Sequence, residues 1–222
     1  MYDTIEALGI VLDTSLIKEF DKRLVILTEK LGRITVFANG ARRKNSQLTA
    51  VSQKFVMASF KLRPSSQNTY TLISAEIMNT FIDLSYDIEK MAYASYVSEV
   101  AGYFTRDGIP AVDELNLIYI TYKTIISEQI PLKLIKSIFE CKLLDIEGIF
   151  SKDELIRVAK PRHVSQDASF VIDYILSRDI AETYSFKVSD RVIDEVEEII
   201  TKYLKTQCDK NFKSLDILDT LL

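Results

Sequence analysis

The sequence predicts an α+β protein, with a five-stranded β-barrel over residues 1–80 followed by an all-α domain over 81–222. Its 222 residues are enough for two domains, and the 47% of hydrophobic residues can supply their cores. Short β-rich runs bounded by turn residues fill the first part of the chain. After residue 80 the apolar residues recur at helical spacing, so this change of period marks the expected boundary.

The strands are predicted where β-branched and aromatic residues cluster between breaks rich in Gly, Pro, Ser and Asn. The five runs are Thr4–Asp13, Arg23–Thr28, Arg33–Asn39, Phe55–Leu62 and Tyr70–Ile77. A closed barrel would remove the exposed sheet edges, and the five-stranded OB-fold fits this count best. The segment 47–53, between the third and fourth strands, is expected to form one or two helical turns.

The helices are predicted from an apolar period of 3.6 residues. They are expected over 88–104, 112–127, 132–146, 168–177 and 189–205, with a short last turn from Ser214. Ser189 is placed to cap the fifth of these helices, whose apolar stripe includes Val192, Val196 and Tyr203. Residues 148–165 show no strong period, so no element is predicted there.

The charge is uneven along the chain. Residues 1–80 contain 11 Lys and Arg against 7 Asp and Glu, whereas residues 81–222 contain 17 against 25. Between Glu29 and Glu76 there is no acidic residue. A phosphate group senses charges within a Debye length of roughly 8 Å, so this local patch matters more than the net charge of −4. The barrel is therefore a candidate nucleic-acid binder.

The basic triplet Arg42, Arg43 and Lys44 is the strongest local signal in the sequence. It follows Gly40, which permits a tight turn, and cations on a loop at the end of a strand can follow a phosphate backbone. The alternative is a solvated loop that only keeps the protein soluble. Aromatic residues alternate with the basic ones, and most are expected in the barrel core, with one or two as stacking platforms for bases. They are Phe37, Phe55, Phe60 and Tyr70.

Few residues suggest catalysis or metal binding. No glycine-rich phosphate loop occurs, and Cys141 and Cys208 have no second cysteine at metal-ligand spacing. Cys141 is expected to be a small buried side chain, and His163, the only histidine, to lie on a surface loop. The glutamates at 195, 197 and 198 are expected on a solvated helix face rather than in a metal site. We therefore predict neither an enzyme nor a bound cofactor or metal.

No apolar stretch approaches the roughly 18 residues needed to span a bilayer, and acidic residues near the start argue against a signal peptide. We expect a cytoplasmic protein with no membrane partner.

The order of several motifs resembles the bacterial recombination mediator family RecO over nearly the whole chain. The resemblance to its N-terminal domain lies in Gly9–Thr14, Asp21–Val25, Leu27–Ile34 and Asn39–Arg43. It continues through Ser74–Ile77 with Phe81, Met91–Tyr96 with Glu99, Phe139–Leu144 and Lys213–Asp216.

This resemblance implies an OB-fold followed by a helical domain in a DNA repair protein. Such a protein would bind single- and double-stranded DNA, anneal complementary strands, and work with RecR to load RecA onto strands coated by single-stranded-DNA-binding protein. The implied DNA-binding residues are Arg33, Arg42, Arg43 and Lys44, with Lys54, Lys61 and Arg63 as further candidates.

Two features of the helical domain bear on partners. Many family members have a four-cysteine zinc motif after the helix that here ends near Ile146, and residues 148–165 contain no cysteine, so no zinc is expected. Lys133, Lys136 and Lys142, beside an apolar face, could bind the acidic tail of single-stranded-DNA-binding protein. The alternative is that they are ordinary lysines on a helix surface. A protein-interaction scaffold that does not bind DNA is the rival to the whole interpretation.

Overall fold

The structure is a computed structural model that describes residues 3–65, 69–159 and 164–216. The chain divides into two compact units. The first, the barrel unit, contains Met1–Asp87 and Ser98–Leu115, and the second, the helical unit, contains Ile88–Val97 and Asn116–Leu222. The assignment of DNA binding to residues 1–80 and of partner binding to 81–222 stays a prediction.

The barrel unit contains the predicted barrel. Its strands are β1 (Ile5–Leu16), β2 (Lys22–Thr28), β3 (Gly32–Ala38), β4 (Met57–Pro64) and β5 (Thr69–Asn79). They close in the order β1-β2-β3-β5-β4, and every pair is antiparallel except β3 with β5. The short helix α1 (Leu48–Val51) lies between β3 and β4, within the segment predicted to form helical turns.

Alternation of buried and outward side chains places the barrel core. In β3, Ile34 and Val36 point into the core cluster, whereas Thr35 and Phe37 are only half-buried on the outer face. The expectation that most aromatic residues would be internal is confirmed, since Phe60 is fully buried and Tyr70 packs against the same cluster. Phe55 is also buried. Phe37 is therefore the aromatic residue of this set that remains on the outside.

Strand β1 is longer than predicted. It runs three residues beyond Asp13, to Leu16, and a bulge lies between Val11 and Asp13. The polar residues Thr14 and Ser15 were not predicted as strand, because neither is an apolar residue that would mark a buried side of the strand. Pairing with β2 continues across them, which extends the outer surface of the barrel at this end.

Residues 106–111 are hydrogen-bonded to the barrel and so form part of the barrel unit. Backbone hydrogen bonds link the turn between β2 and β3 to residues 106–111, including Arg33 N–H to the Arg106 carbonyl at 3.1 Å and Gly108 N–H to the Leu31 carbonyl at 2.9 Å. Gly32, at φ +66°, allows this approach, because a Cβ there would lie 2.1 Å from the Arg106 carbonyl oxygen.

The remaining elements are helices. After a 3₁₀ turn (Ile82–Ser85) come α2 (Ile88–Phe104), α3 (Val112–Ser127), α4 (Leu132–Ile146), α5 (Lys152–Ala159), α6 (Gln166–Ser177) and α7 (Asp190–Gln207). Helix α5 was not predicted, because its eight residues bury only Leu155 and Ala159, too few to reveal a period. None of these helices, within the described residues, has the length and hydropathy needed to cross a membrane.

Helix α4 forms the centre of the helical unit. Every residue from Leu134 to Leu144 is buried, including the polar ones. Helix α7 packs beside it through the predicted stripe, with Val196 and Tyr203 fully buried. Ser189 occupies the N-cap position of α7, but its side chain makes no capping hydrogen bond.

Candidate nucleic-acid interface

The basic loop, residues 39–46, leaves the end of β3 and exposes all three of its cations, Arg42, Arg43 and Lys44. Its first turn is held by the Asp21 carboxylate, which accepts a hydrogen bond from the Gly40 backbone N–H at 2.7 Å. Gly40 has a φ of +72°, so a side chain at this position would be strained. The loop is therefore anchored at its base while its cations face solvent.

The basic loop is also tied to the β1–β2 loop, residues 17–21. Arg42 donates its backbone N–H to the Phe20 carbonyl at 3.0 Å and its Nη1 to the Glu19 carbonyl at 2.8 Å. The guanidinium of Arg43 lies 5.7 Å from the centre of the Phe20 ring. Lys44 is exposed and has no hydrogen bond or ion pair with any described residue. Arg42 thus helps to hold the loops together, and Arg43 and Lys44 remain available for a ligand.

Phe20 is a candidate that the sequence interpretation missed. Its side chain is 40% exposed at the rim of the barrel, next to Leu16 and Ile17, which are also exposed. An exposed aromatic ring beside an arginine is a combination found in single-strand binding surfaces. The available signal was an aromatic residue in an otherwise polar inter-strand segment, but the neighbourhood with Arg43 depends on the contact between two loops.

A row of five residues crosses the outer face of the barrel. Strand register pairs Ser15 with Arg23, Arg23 with Phe37, Phe37 with Thr71, and Thr71 with Arg63. We call this set the outer row. It lies one residue inside the rim from which the basic loop projects, because the next pair is Lys22 with Ala38. Arg63 was predicted as a site residue, whereas Arg23 was not.

Arg33, another predicted site residue, is bound to a backbone carbonyl away from the basic loop. It lies on β3 at the end away from the basic loop, and its Nη1 donates to the carbonyl of Gly102 in the same unit. Its guanidinium therefore connects β3 to the second half of α2. Sequence could not show this, since the two residues are 69 positions apart.

Lys54 and Lys61 also have partners outside the basic loop. Lys54 is half-buried, with Nζ 5.3 Å from the centre of the Phe55 ring, and burial lowers its pKa although Asp13 and Glu99 oppose the shift. Lys61 lies opposite Glu6 in the β1–β4 register, with 3.9 Å between their charged atoms. The structure thus brings Arg42, Arg43 and Lys44 together, places Arg63 in the outer row, and disperses the other three.

Comparison with known proteins agrees with this architecture. A family model described as "Recombination protein O N terminal" matches residues 1–81. Three relatives named DNA repair protein RecO match over almost their whole length. That of Acetivibrio thermocellus is 26% identical, covering 96% of this chain and 95% of the relative, and that of Alkaliphilus metalliredigens is 28% identical, covering 94% and 96%. The protein of Caldanaerobacter subterraneus subsp. tengcongensis is 27% identical, covering 94% of each chain.

The chain belongs to the RecO family. Its role is in DNA repair, as the resemblance of the motifs implied. The OB-like barrel followed by helices is likewise the fold predicted from the sequence.

Of the three lysines assigned to a tail-binding site in this RecO-family chain, only Lys133 is exposed. It forms ion pairs with Asp194 at 2.9 Å and Glu197 at 3.6 Å, and the hydrogen bond to Asp194 raises its pKa. An incoming carboxylate can reach this ammonium group, but it would have to compete with two acidic side chains of α7.

Lys136 and Lys142 are buried, which neither the tail-binding interpretation nor its surface-lysine alternative anticipated. Lys136 Nζ lies 3.2 Å from Glu140 and donates to Thr201 Oγ1 at 2.7 Å. Lys142 donates to the carbonyls of Leu176 and Arg178, so it satisfies acceptors at the C-terminal end of α6. Both ammonium groups are used inside the helical unit.

Among the residues that the structure describes, the remaining chemically active side chains of this RecO-family chain form no common site. Cys141 is fully buried, as predicted, and burial raises the pKa of its thiol. Glu195 is half-buried rather than solvated, and it accepts hydrogen bonds from the Ser165 backbone and hydroxyl at 2.7 and 2.8 Å. His163 lies outside the described residues. Within the described ranges no group of three His, Cys, Asp or Glu side chains could hold a metal ion.

Proposed function

We propose that this chain is a non-catalytic recombination mediator that binds single- and double-stranded DNA through its barrel. The observation that supports this most directly is the exposed pair Arg43 and Lys44 at the barrel rim, with the Arg43 guanidinium beside the Phe20 ring. The basic loop is anchored by Asp21 and Arg42, so its cations are presented with little further ordering. Arginine and lysine contacts to phosphates supply affinity without reading sequence.

Strand annealing would follow from the same surface. Two complementary strands repel each other through their phosphates, and cations of the barrel would reduce this repulsion while leaving base edges free to pair. The energy would come from binding, since the residues described contain no constellation for ATP hydrolysis and the sequence has no phosphate-cradling loop.

The helical part of the chain would contact protein partners. Residues 81–222 have an excess of eight acidic charges, which disfavours DNA there. We propose that it acts with RecR in the bacterial cytoplasm to load RecA onto strands coated by single-stranded-DNA-binding protein. Lys133 would be the contact for the acidic tail of that protein, because it is the exposed member of the three candidate lysines.

The test is fluorescence anisotropy with a labelled single strand over a salt series. If about five phosphates are neutralised, log K should fall with log salt at a slope of about −3.5, because each single-strand contact contributes about −0.7. Replacing Arg42, Arg43 and Lys44 together by Ala should make this slope shallower. The matched control removes three exposed cations of the helical unit, Arg178, Lys187 and Lys205, and should leave the slope unchanged.

Absent or salt-insensitive binding by the native protein would contradict the proposal and favour the rival, a protein-interaction scaffold with a solubilising basic loop. A second rival is an enzyme that uses His163 or an acidic pair. It is tested by His163→Ala, which should leave strand annealing intact if the protein is a mediator. Loss of annealing in that variant would contradict the mediator mechanism.

A further inference from the structure

We propose that the outer row contains a stacking site for an unpaired DNA base, with the Phe37 ring as its platform and Arg23 as its neighbouring cation. This inference rests on the proposed function and specifies the part of the DNA that the barrel recognises. It concerns bases, whereas the basic loop binds phosphates.

The first support is the strand register. Arg23 and Phe37 are directly opposite each other on β2 and β3, so their side chains leave the same face of the barrel about 5 Å apart. Arg23 Nη2 lies 3.5 Å from Thr35 Oγ1, the next outward residue of β3, which keeps the guanidinium along this face. An arginine beside an aromatic ring can pair with a phosphate or stack on a base that the ring holds.

The second support is the surroundings of the ring. The rings of Phe55 and Phe60 are internal, and Tyr70 packs on the core, so Phe37 is the one of these four aromatic residues that lies on the outer face of the barrel, where it is half-buried. The opposite end of β3 is occupied, because Arg33 is bound to Gly102 there. The outer face of β3 is thus covered at one end, and the aromatic ring lies towards the other.

The third support is continuity with the basic loop. Gly40 follows Phe37 by three residues, which places the start of the loop within about 10 Å of the ring at the rise of a β-strand. At an axial rise of about 3.4 Å per nucleotide, that distance covers about three nucleotides of one strand. A strand held at Arg43 and Lys44 would therefore bring a nearby base over Phe37.

The rest of the outer row suits the same ligand. Thr71 supplies a hydroxyl next to Phe37, and Arg63 is an exposed cation beyond it. None of the five residues of the row is acidic. Bases inside a duplex are covered on both faces by their neighbours, so only an unpaired base can stack on the ring.

The experiment uses the absence of tryptophan from the sequence. Phe37→Trp introduces a single indole at the proposed site, and Tyr86→Trp introduces one at an exposed position outside the outer row. The probes are an oligothymidylate strand, a strand of equal length with abasic sites, and a duplex. Oligothymidylate should quench the fluorescence of Phe37→Trp, whereas the abasic strand and the duplex should not, and Tyr86→Trp should respond to none of them.

Affinity gives a second readout. The native protein should bind oligothymidylate at least about 5-fold more tightly than the abasic strand, since one stacked base contributes a factor of this size or more. Phe37→Leu should lose most of this preference, Phe37→Tyr should retain it, and neither should change the salt slope. Replacing the three cations of the basic loop should lower the affinity for oligothymidylate and for the abasic strand by the same factor.

The stacking site is overturned if DNA binds but Phe37→Trp is not quenched by oligothymidylate, or if Phe37→Leu keeps the full preference. Those results would leave phosphate binding by the basic loop intact. A native protein that binds none of the three probes would instead remove the proposed function as well, so the two failures are distinguishable.

Discussion

The Asp21 carboxylate accepts a hydrogen bond from the Gly40 backbone N–H at 2.7 Å, which joins the β1–β2 loop to the base of the basic loop. The two residues are 19 positions apart, and each flanks a segment exposed at the barrel rim. A carboxylate so close to three cations lowers the local positive potential, yet its bond orders the loop that presents them. The same acidic residue therefore weakens the long-range attraction of a polyanion and orders the loop that we propose as the DNA-binding surface.

This relationship predicts that Asp21→Ala loosens the basic loop. The lost bond to a charged acceptor is worth about 1.5 kcal/mol or more, so local opening should become roughly tenfold or more frequent. Trypsin cleaves after Arg and Lys, and cleavage after Arg42, Arg43 and Lys44, followed by mass spectrometry, measures that opening. Asp21→Asn keeps an acceptor oxygen and should restore most of the protection. Equal cleavage in Asp21→Ala and the native protein would show that the bond does not order the loop.

Gly32→Ala should strongly destabilise the barrel unit. The residue has a positive φ, and an added Cβ would lie 2.1 Å from the Arg106 carbonyl oxygen and 2.4 Å from that of Ile109. We expect a loss of about 3 kcal/mol or more, since backbone strain of about 1 kcal/mol or more adds to a steric clash. Gly108→Ala is the matched control, because Gly108 also has a positive φ but no atom within 4 Å of an added Cβ. Urea unfolding compares them, and equal losses would contradict the packing explanation.

Arg33→Ala should reduce stability without changing the salt dependence of DNA binding. The side chain donates to the Gly102 carbonyl, so its loss removes a partly buried hydrogen bond worth about 1–2 kcal/mol. Lys44→Ala should behave in the opposite way, because Lys44 is exposed and has no described partner. Thermal unfolding and anisotropy on both variants test this contrast. A shallower salt slope in folded Arg33→Ala would return this residue to the DNA site.

Lys136→Met should lower the stability of the helical unit more than a typical surface substitution does. The change leaves the Glu140 carboxylate buried without its cation, at a cost of about 3–5 kcal/mol. Adding Glu140→Gln removes the unpaired charge and keeps an acceptor for the Tyr96 hydroxyl, which donates to Glu140. The double variant should therefore recover most of the stability in denaturant unfolding. Additive losses would show that the two groups are not coupled.

Alkaline pH should destabilise the helical unit through Tyr93. Burial, followed by the charges of Glu197, Glu89 and Glu140, raises the pKa of Tyr93 to about 12. The unfolded phenol ionises near pH 10, so between about pH 10 and 12 the unfolded state loses the proton first and stability falls, by up to roughly 2–3 kcal/mol. Tyr93→Phe should flatten this decline in urea unfolding. Tyr86→Phe, at an exposed tyrosine, is the control, and equal curves for both variants would contradict the assignment.

Much of the fold could be predicted because its signals are local. Alternation in β3 separates the core residues Ile34 and Val36 from the outward Thr35 and Phe37, and the helical period locates α7 to within two residues at each end. Helix α5 and the end of β1 were missed, because a short helix or a polar strand has too few buried residues to reveal a period. Helix α5 is held by packing against α7, which is distant in sequence, and the end of β1 is held by pairing with the start of β2.

The candidate site also has features that are local in sequence and features that depend on packing. The family, the barrel followed by helices, and the position of the basic loop could all be predicted, because composition, turn residues and motif order are properties of contiguous segments. Which of the cations face solvent depends instead on tertiary packing. Lys136 and Lys142 look like Lys133 in the sequence, but packing of α6 and α7 around α4 buries them.

Tertiary contacts also bring Phe20 beside Arg43. Strand pairing sets Arg23 opposite Phe37. Strand pairing joins residues that are far apart along the chain through backbone hydrogen bonds, so no local pattern encodes which outward side chains become neighbours. Charge and aromaticity are written in the sequence, whereas their combination into one surface depends on how the barrel closes.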